Sequence, residues 1–270
     1  MTSEAHFNLR RPPFERDIST SALYIAPRTQ ELLSRLEYAT MRRKFVVVTG
    51  DVGVGKTTAI RKFADSLDNT RSRFIYIADS ALKPRVFYWE VLTQMGADEK
   101  PSFYRSESKR KMLVHMRRLV ENSQVIPVII VDEAHLLSDE MLEETRFLLN
   151  NDMDSNNPMS LIVVGQSELR AKLSKDVYEP ITQRIDFHFK LEPFDRAQTC
   201  EYIAYHMRYA GGDAGVFTDT AIDSVYGYSH GLARKINKVC SLALIYAAQR
   251  GKHAIEGADI EFIIEQELAW

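Results

Sequence analysis

The sequence predicts an α/β protein in which a parallel five-stranded sheet, flanked by helices, is followed by a small all-helical domain. Three observations support this fold class. Short apolar runs rich in β-branched residues recur through the first two thirds of the chain. Such runs are typical of strands buried on both faces, as strands of a parallel sheet are. Helical spacing separates the runs, and the last third of the chain has helical patterns only.

The five apolar runs predict the strands, at residues 45–48, 74–77, 125–131, 161–164 and 185–191. Helical spacing follows the first run at residues 58–67. Beyond Pro193, helices are predicted at about residues 196–209, 219–228, 232–250 and 257–268. The first 17 residues show no periodic pattern and predict an irregular lead-in. We therefore expect three segments, at residues 1–30, 31–192 and 193–270.

The composition is that of a globular protein, with 45% hydrophobic and 27% charged residues. A net charge of −2 gives no overall attraction to nucleic acid, so any such binding depends on a local patch. Cys200 and Cys240 lack the spacing of metal ligands or of a disulfide framework, which indicates a reducing compartment. No apolar run approaches the roughly 18 residues of a membrane span, and the N-terminus lacks an apolar signal core. We expect a cytoplasmic protein without a membrane span.

A Walker A phosphate loop, G-x-x-x-x-G-K-T, lies between the first predicted strand and the helical pattern after it. Gly53 and Gly55 allow the loop to curl so that backbone N–H groups point inward, and the following helix adds the positive end of its dipole. Lys56 suits the β and γ phosphates, and the Thr57 hydroxyl suits Mg²⁺. The predicted nucleotide-binding residues of this region are Gly50, Asp51, Val52, Gly53, Val54, Gly55, Lys56, Thr57 and Thr58.

The third predicted strand ends in two acids, Asp132 and Glu133, which is the form of a Walker B motif. Asp132 can reach the shell of a Mg²⁺ ion beside Thr57, and Glu133 can polarise the water that attacks the γ phosphate. The sequence therefore predicts an ATP hydrolase with ATP and Mg²⁺ as cofactors and with Thr57 and Asp132 as the metal-holding pair. Ala134 and His135 complete the letters D-E-A-H. DEAH helicases need two full RecA-like domains, however, and this chain has room for one.

Taken in order, the motifs resemble those of the AAA+ ATPases, in the branch that contains general secretion pathway protein A and the target-selection ATPases of Tn7- and Mu-type transposition. The resemblance covers nearly all of the chain, in seven segments at residues 11–14, 22–25, 50–57, 132–135, 165–169, 183–185 and 231–237. It implies a P-loop sheet followed by a helical lid.

The resemblance also implies roles for polar residues outside the two Walker motifs. Gln166 takes the sensor 1 position, where many AAA+ proteins carry Asn, Ser or Thr, and Arg234 is the sensor 2 arginine of the lid. Arg184 is the first candidate for the arginine finger and Arg170 the second. Together with the Walker residues, the predicted catalytic set is Lys56, Glu133, Gln166 and Arg184.

An arginine finger acts on a nucleotide held by a neighbouring subunit, so the resemblance implies a homo-oligomer, either a ring or a filament. ATP would then serve as an assembly switch. The resemblance further suggests that Leu23 and Tyr24, in the segment of residues 1–30, line the adenine pocket. The alternative is that these two side chains pack on the sheet.

Two classes of function follow from the family branch. In the first, ATP-bound oligomers on DNA select a target and recruit a transposase; in the second, the ATPase drives assembly of a secretion complex. A replication-initiator or loader role is a third possible function. Secretion proteins of this branch normally continue into a membrane span and a peptidoglycan-binding domain, whereas this sequence ends at Trp270. That ending favours a stand-alone ATPase, although a fragment of a longer secretion protein would end in the same way.

DNA binding rests on basic residues between the second and third predicted strands. In similar ATPases this region lines the inside of the ring, where cations would meet phosphates without reading sequence. The alternative is an ordinary solvated basic helix. The predicted DNA-binding residues are Lys83, Arg85, Arg105, Lys109, Arg110 and Lys111.

Overall fold

A computed structural model describes residues 2–15, 17–97, 102–149 and 157–268. Its sheet has five strands, β1 (Phe45–Thr49), β2 (Ser72–Ile77), β3 (Ile126–Val131), β4 (Ser160–Gly165) and β5 (Phe187–Lys190). All neighbouring strands pair in parallel, in the order β2-β3-β4-β1-β5. The predicted α/β fold class is confirmed. Each predicted apolar run overlaps its strand to within two residues at either end.

Two helices precede the first strand, and the others lie between and after the strands. They are α1 (Ser3–His6), α2 (Pro27–Met41), α3 (Lys56–Ser66), α4 (Pro84–Gln94), α5 (Arg105–Ser123), α6 (Asp139–Leu149), α7 (Ser167–Leu173), α8 (Glu179–Thr182), α9 (Arg196–Tyr209), α10 (Asp219–Ser229), α11 (Ala233–Gln249) and α12 (Gly257–Ile263). A π turn, Ile264–Leu268, follows α12. Within the described ranges, none of these helices combines the length and apolarity that crossing a bilayer requires.

The chain divides into two compact units. The sheet unit comprises Gln30–Asp51 and Lys56–Leu191, and the helical unit comprises Met1–Thr29, Val52–Gly55 and Glu192–Trp270. The helical unit thus joins the predicted lead-in to the predicted lid and includes part of the phosphate loop. The division into three segments stays a prediction.

Burial in the sheet unit follows the strand order. The three inner strands β3, β4 and β1 are buried along almost their whole length, whereas the edge strands β2 and β5 alternate between buried and exposed residues. Inner strands are covered on both faces, and this explains their continuous apolar sequences. The carboxyl ends of the inner strands carry the Walker motifs, so the sheet brings those motifs to one edge.

The helical unit has its own core, built from α9 to α12 and from the first residues of the chain. Phe7, Leu9 and Phe14 are buried against Tyr202, Met207 and other apolar residues of these helices. The prediction of an irregular lead-in was therefore wrong for α1 alone; the other described residues up to residue 17 form no helix or strand, although three of them supply core side chains. The burial of three large apolar side chains explains why this segment is ordered.

Gly231 permits a close approach of two backbone segments in the helical unit. Its φ is +76°, and a Cβ at this position would lie 1.8 Å from the carbonyl oxygen of Phe194. The Phe194 N–H also donates to the Gly231 carbonyl at 3.0 Å. Replacing Gly231 by alanine should lower the free energy of unfolding by at least about 2 kcal/mol, because it adds left-handed strain to a backbone clash. Chemical denaturation followed by circular dichroism measures the change.

Gly227 is the matched control for this substitution. It lies within α10, and a Cβ there would meet nothing within 4 Å. Gly227→Ala should leave stability unchanged or raise it by about 0.5–1 kcal/mol, because alanine favours a helix over glycine. Equal denaturation midpoints for the two variants would contradict the assigned role of Gly231.

Candidate nucleotide site

The phosphate loop joins β1 to α3, and its two internal glycines have positive φ. Gly53 has a φ of +82° and Gly55 a φ of +108°, a region in which side chains other than glycine are strained. Helix α3 begins at Lys56, two residues earlier than predicted. Lys56 and Thr57 therefore belong to the first helical turn, where backbone N–H groups lack partners within the helix and attract anions.

The Lys56 side chain is buried, and its ammonium group donates to loop carbonyls. Nζ lies 2.8 Å from the oxygen of Gly50 and 3.1 Å from that of Asp51. These contacts hold the charge at the loop. Because a buried ammonium group is poorly solvated, the arrangement favours an anionic ligand there.

Thr57 and Asp132 meet as the motif spacing predicts. The Thr57 hydroxyl donates to Oδ2 of Asp132 at 3.0 Å, and the Asp132 carboxylate is buried, with 3% of the residue exposed. A hydroxyl and a carboxylate are the hard oxygen donors that Mg²⁺ prefers. The residues present therefore fit this ion.

Glu133 follows Asp132 but lies in a different environment. Its backbone has a φ of +48°, in the left-handed region, and is held there by two hydrogen bonds. The Glu133 N–H donates to Oδ1 of Asp132 at 2.8 Å, and the Ser80 hydroxyl donates to the Glu133 carbonyl at 2.7 Å. The Glu133 side chain is 47% exposed, in contrast to the buried Asp132. The backbone turn thus separates two adjacent carboxylates into an interior group and a solvent-facing group.

Gln166 follows β4 and reaches the side chain of Glu133. Its Nε2 lies 3.4 Å from Oε2 of Glu133, and Nδ1 of His135 lies 3.5 Å from the same oxygen. Strands β3 and β4 are neighbours, so the residues that follow them come together at the sheet edge. The structure therefore brings Thr57, Asp132, Glu133 and Gln166 into one chain of contacts.

Arg234 contacts the phosphate loop within the helical unit. Its backbone N–H donates to the Gly53 carbonyl at 3.1 Å, and a Cβ on Gly53 would lie 2.9 Å from Cβ of Arg234. The loop glycine is therefore required both for its φ and for this approach. The proximity agrees with the predicted sensor 2 position, whose role stays a prediction.

Tyr24 packs in an aromatic cluster of the helical unit. Its ring lies 5.7 to 5.8 Å from those of Phe194, Tyr202 and Tyr205, and its hydroxyl donates to Glu201 at 2.7 Å. Burial, together with the hydrogen bond to Glu201, raises the pKa of Tyr24. These contacts favour neither packing on the sheet nor any particular ligand, and the adenine-pocket role of Tyr24 and Leu23 stays a prediction.

The two finger candidates belong to the sheet unit. Arg184 follows α8 and is partly buried, and its Nη1 donates to the carbonyl of Arg146 at the end of α6, at 3.3 Å. Arg170 is exposed on α7. Burial and the charge of Arg170 lower the pKa of His188 on β5. The choice between the two arginines stays a prediction.

The six predicted DNA-binding residues fall into two groups. Arg105 and Lys109 of α5 form ion pairs with the buried Glu144 of α6, and Arg105 also pairs with Glu140 at 2.9 Å. Lys109 is partly buried, and burial lowers its pKa. Lys111 lies 3.5 Å from Glu107. The other three residues, Lys83, Arg85 and Arg110, are exposed at the surface, and Arg105 is also half-exposed in spite of its ion pairs.

Two side chains outside the predicted site set, Tyr76 and Ser80, contact the Walker B motif. The Tyr76 hydroxyl donates to Oδ2 of Asp132 at 2.7 Å, and burial and this bond raise the pKa of Tyr76. Ser80 binds the Glu133 backbone, as described above. A tyrosine in an apolar run is normally predicted to be a core residue. The contact of Tyr76 with Asp132 exists only because β2 lies next to β3.

Comparison with known proteins identifies the family. The family model described as "AAA domain" matches residues 39–173. The chain belongs to the AAA family. General secretion pathway protein A of Aeromonas hydrophila is 32% identical over 259 residues, which cover 94% of this chain and 46% of that protein. ATP-dependent target DNA activator B of Escherichia phage Mu is 25% identical over 145 residues, which cover 54% of this chain and 42% of that protein.

The predicted branch of the AAA proteins is confirmed by these two relatives, of which the chain spans less than half the length. Cdc6p of Pyrobaculum aerophilum has a similar fold, with a TM-score of 0.67 and 17% identity over 90% of this chain and 67% of that structure. The AAA family and fold imply a nucleotide-binding protein.

Proposed function

We propose that this protein is an ATPase that hydrolyses ATP at subunit interfaces and uses ATP-dependent oligomerisation on DNA to regulate transposition. The observation that carries the ATPase part is the chain of contacts from Thr57 through Asp132 and Glu133 to Gln166, next to the buried ammonium group of Lys56. When bound, Mg²⁺ would supply positive charge that neutralises phosphate oxygens. Thr57 and Asp132 would hold it.

Each residue of the site has a separate task in this proposal. Lys56 binds the β and γ phosphates. Glu133 takes a proton from the attacking water, for which its exposed side chain is suited. Gln166, 3.4 Å from Glu133, orients that water through its amide group. Arg184 stabilises the charge of the transferring phosphoryl group in a neighbouring subunit.

Arg184→Ala should leave ATP binding unchanged and reduce hydrolysis about 10³-fold, because arginine fingers act on transition-state charge rather than on ground-state binding. A phosphate-release assay at saturating ATP measures the loss, and a fluorescent ATP analogue measures binding. Arg170→Ala is the matched control, since it removes the other candidate. Normal turnover in Arg184→Ala and loss of turnover in Arg170→Ala would transfer the finger role to Arg170.

The DNA part of the proposal is supported by a relative's name and by a surface of the sheet unit. The phage Mu relative is described as a target DNA activator. Lys83 and Arg85 are exposed at the start of α4, and Nη1 of Arg85 donates to the Ser102 carbonyl at 3.0 Å. This bond joins Arg85 to the segment just before α5, which ends in two aromatic residues. Those residues, Phe103 and Tyr104, are 87% and 68% exposed.

Exposed cations next to exposed aromatic rings suit nucleic acid, because cations meet phosphates and rings stack on or insert between bases. Arg110, on α5, is exposed as well and adds a third cation to Lys83 and Arg85. By contrast, the charges of Arg105 and Lys109 are balanced by Glu140 and Glu144. The proposal therefore assigns the main DNA contacts to Lys83, Arg85 and Arg110.

A role in assembling a secretion complex is the second candidate, and one observation favours it. The secretion relative matches 94% of this chain at 32% identity, against 54% at 25% for the phage protein. This candidate shares the ATPase site and the oligomer but does not require DNA. A replication-initiator or loader role is the third candidate, and the likeness of fold to solved structures of 17% identity or less does not favour it over the other two.

DNA binding measured with ATP, with ADP and without nucleotide separates the candidates. We expect binding in ATP only, with rings or filaments on DNA in electron micrographs. Lys83→Glu with Arg110→Glu should weaken binding and reduce the salt slope by about 2, one unit for each phosphate contact. Lys238→Glu with Arg208→Glu, at exposed positions of α11 and α9, reverses the same number of charges and is the control. ATP hydrolysis without DNA binding at low salt would reject the DNA role and favour secretion.

A further inference from the structure

We infer that Tyr76 is a positioning residue that sets the orientation of the metal-holding carboxylate of Asp132, and that Gln94 of α4 holds Tyr76 in place. The inference rests on the proposed ATPase function and adds to it a residue outside the Walker motifs. It is drawn from a set of hydrogen bonds on β2, β3 and α4 within the sheet unit.

Three donors fix the Asp132 carboxylate. Oδ2 accepts from the Thr57 hydroxyl at 3.0 Å and from the Tyr76 hydroxyl at 2.7 Å, and Oδ1 accepts from the Glu133 N–H at 2.8 Å. Rotation of the carboxylate about its side-chain axis would break bonds at both oxygens. Thr57 and Glu133 belong to the motifs themselves, and Tyr76 therefore supplies the external constraint.

The shared acceptor gives Tyr76 a specific effect on the metal site. Thr57 and Tyr76 both point their hydroxyl hydrogens at Oδ2, so the oxygen lone pairs of Thr57 remain available to a cation. Without Tyr76, the buried Oδ2 would keep only the Thr57 donor, and the carboxylate could turn toward other partners. A carboxylate held in advance loses less conformational freedom when the ion binds.

Gln94 holds the backbone of Tyr76 by pairing with the edge of the sheet. Strand β2 is an edge strand, so one side of its backbone has no neighbouring strand. Oε1 of Gln94 accepts from the Tyr76 N–H at 2.8 Å, and Nε2 of Gln94 donates to the Tyr76 carbonyl at 2.9 Å. A single amide side chain thus replaces the missing strand at one residue. Glu90 in turn accepts from Nε2 of Gln94 at 2.8 Å.

The ring of Tyr76 is held as well. It stacks on the ring of Phe74, with centroids 6.3 Å apart and an angle of 8° between the planes. The backbone pairing and the ring contact together leave the hydroxyl in one place, 2.7 Å from Asp132. Such support from surrounding groups is what a positioning residue requires, because the orientation of a metal ligand depends on its hydrogen-bond partners.

Tyr76→Phe tests the inference by removing one hydroxyl and keeping the ring. Binding of Mn²⁺, a spectroscopically visible substitute for Mg²⁺, is followed by electron paramagnetic resonance in the presence of ADP. We expect the Mn²⁺ concentration for half-saturation to rise about fivefold, which corresponds to about 1 kcal/mol. ADP binding without metal should be unchanged, because Lys56 and the loop are intact.

Tyr88→Phe is the matched control. The Tyr88 hydroxyl is buried and has no hydrogen-bond partner among the residues that the structure describes, so the same chemical change there touches no part of the site. Gln94→Leu provides a second variant and should shift Mn²⁺ binding in the same direction by a smaller factor. Unchanged Mn²⁺ binding in Tyr76→Phe, or equal shifts in Tyr76→Phe and Tyr88→Phe, would overturn the inference. Failure of the wild-type protein to bind nucleotide would instead reject the proposed function.

Discussion

Replacing Lys56 by alanine is expected to weaken nucleotide binding at least ~100-fold. The substitution removes an ammonium group that bonds to the carbonyls of Gly50 and Asp51 and faces the anion site of the loop. Two charge-assisted bonds to phosphate oxygens contribute about 3 kcal/mol or more, so the dissociation constant should rise at least ~100-fold. Titration with a fluorescent ATP analogue measures the change.

The same substitution should change the stability of the folded chain little without nucleotide, because two effects oppose each other. It removes the cost of burying a charge, but it leaves the Gly50 and Asp51 carbonyls without their ammonium donor. Thermal unfolding without nucleotide checks this expectation. Lys62→Ala, later in the same helix α3, is the control that removes an equal side chain outside the phosphate loop. ATP binding by Lys56→Ala within threefold of wild type would show that the loop is not the nucleotide site.

The parts of the fold that sequence predicted are those decided by local pattern. Strands β1, β3 and β4 are buried on both faces, and full burial leaves a continuous apolar signal. The Walker motifs were predicted for a similar reason, because each is a short local pattern that follows an apolar strand. Thr57 and Asp132, which are 75 residues apart, bond at 3.0 Å because the strands before them end at the same edge of the parallel sheet.

The parts that sequence could not predict depend on partners far along the chain. The first residues form a helix and core because α9 to α12 offer an apolar surface, and no pattern within those residues reveals it. Lys109 and its neighbour Arg110 are both cations of the same basic stretch, and no local pattern tells which of them is exposed. Glu144 of α6, 35 residues later, binds Lys109 and leaves Arg110 at the surface. The contact of Tyr76 with Asp132 likewise depends on strand order.

Glu133→Gln is expected to retain ATP and Mg²⁺ while losing hydrolysis by a factor of about 10² to 10⁴, the usual contribution of a general base. The glutamine has the same shape, and the backbone bonds from Glu133 to Asp132 and Ser80 do not involve the altered group. Phosphate release should therefore fall without a change in the binding of a fluorescent ATP analogue. Asp132→Asn is the contrasting variant and should lose the dependence of binding on Mg²⁺, because it weakens the metal-holding carboxylate.

Because Glu133→Gln should bind ATP without hydrolysing it, this variant also tests whether ATP acts as the assembly switch. If ATP stabilises the oligomer and hydrolysis releases it, this variant should stay assembled after ATP is added, whereas the wild type should disassemble as ADP accumulates. Light scattering over time distinguishes the two courses, and adding excess ADP in place of ATP should leave both proteins unassembled. Disassembly of Glu133→Gln at the wild-type rate would separate hydrolysis from assembly, and the interface would then respond to some signal other than the γ phosphate.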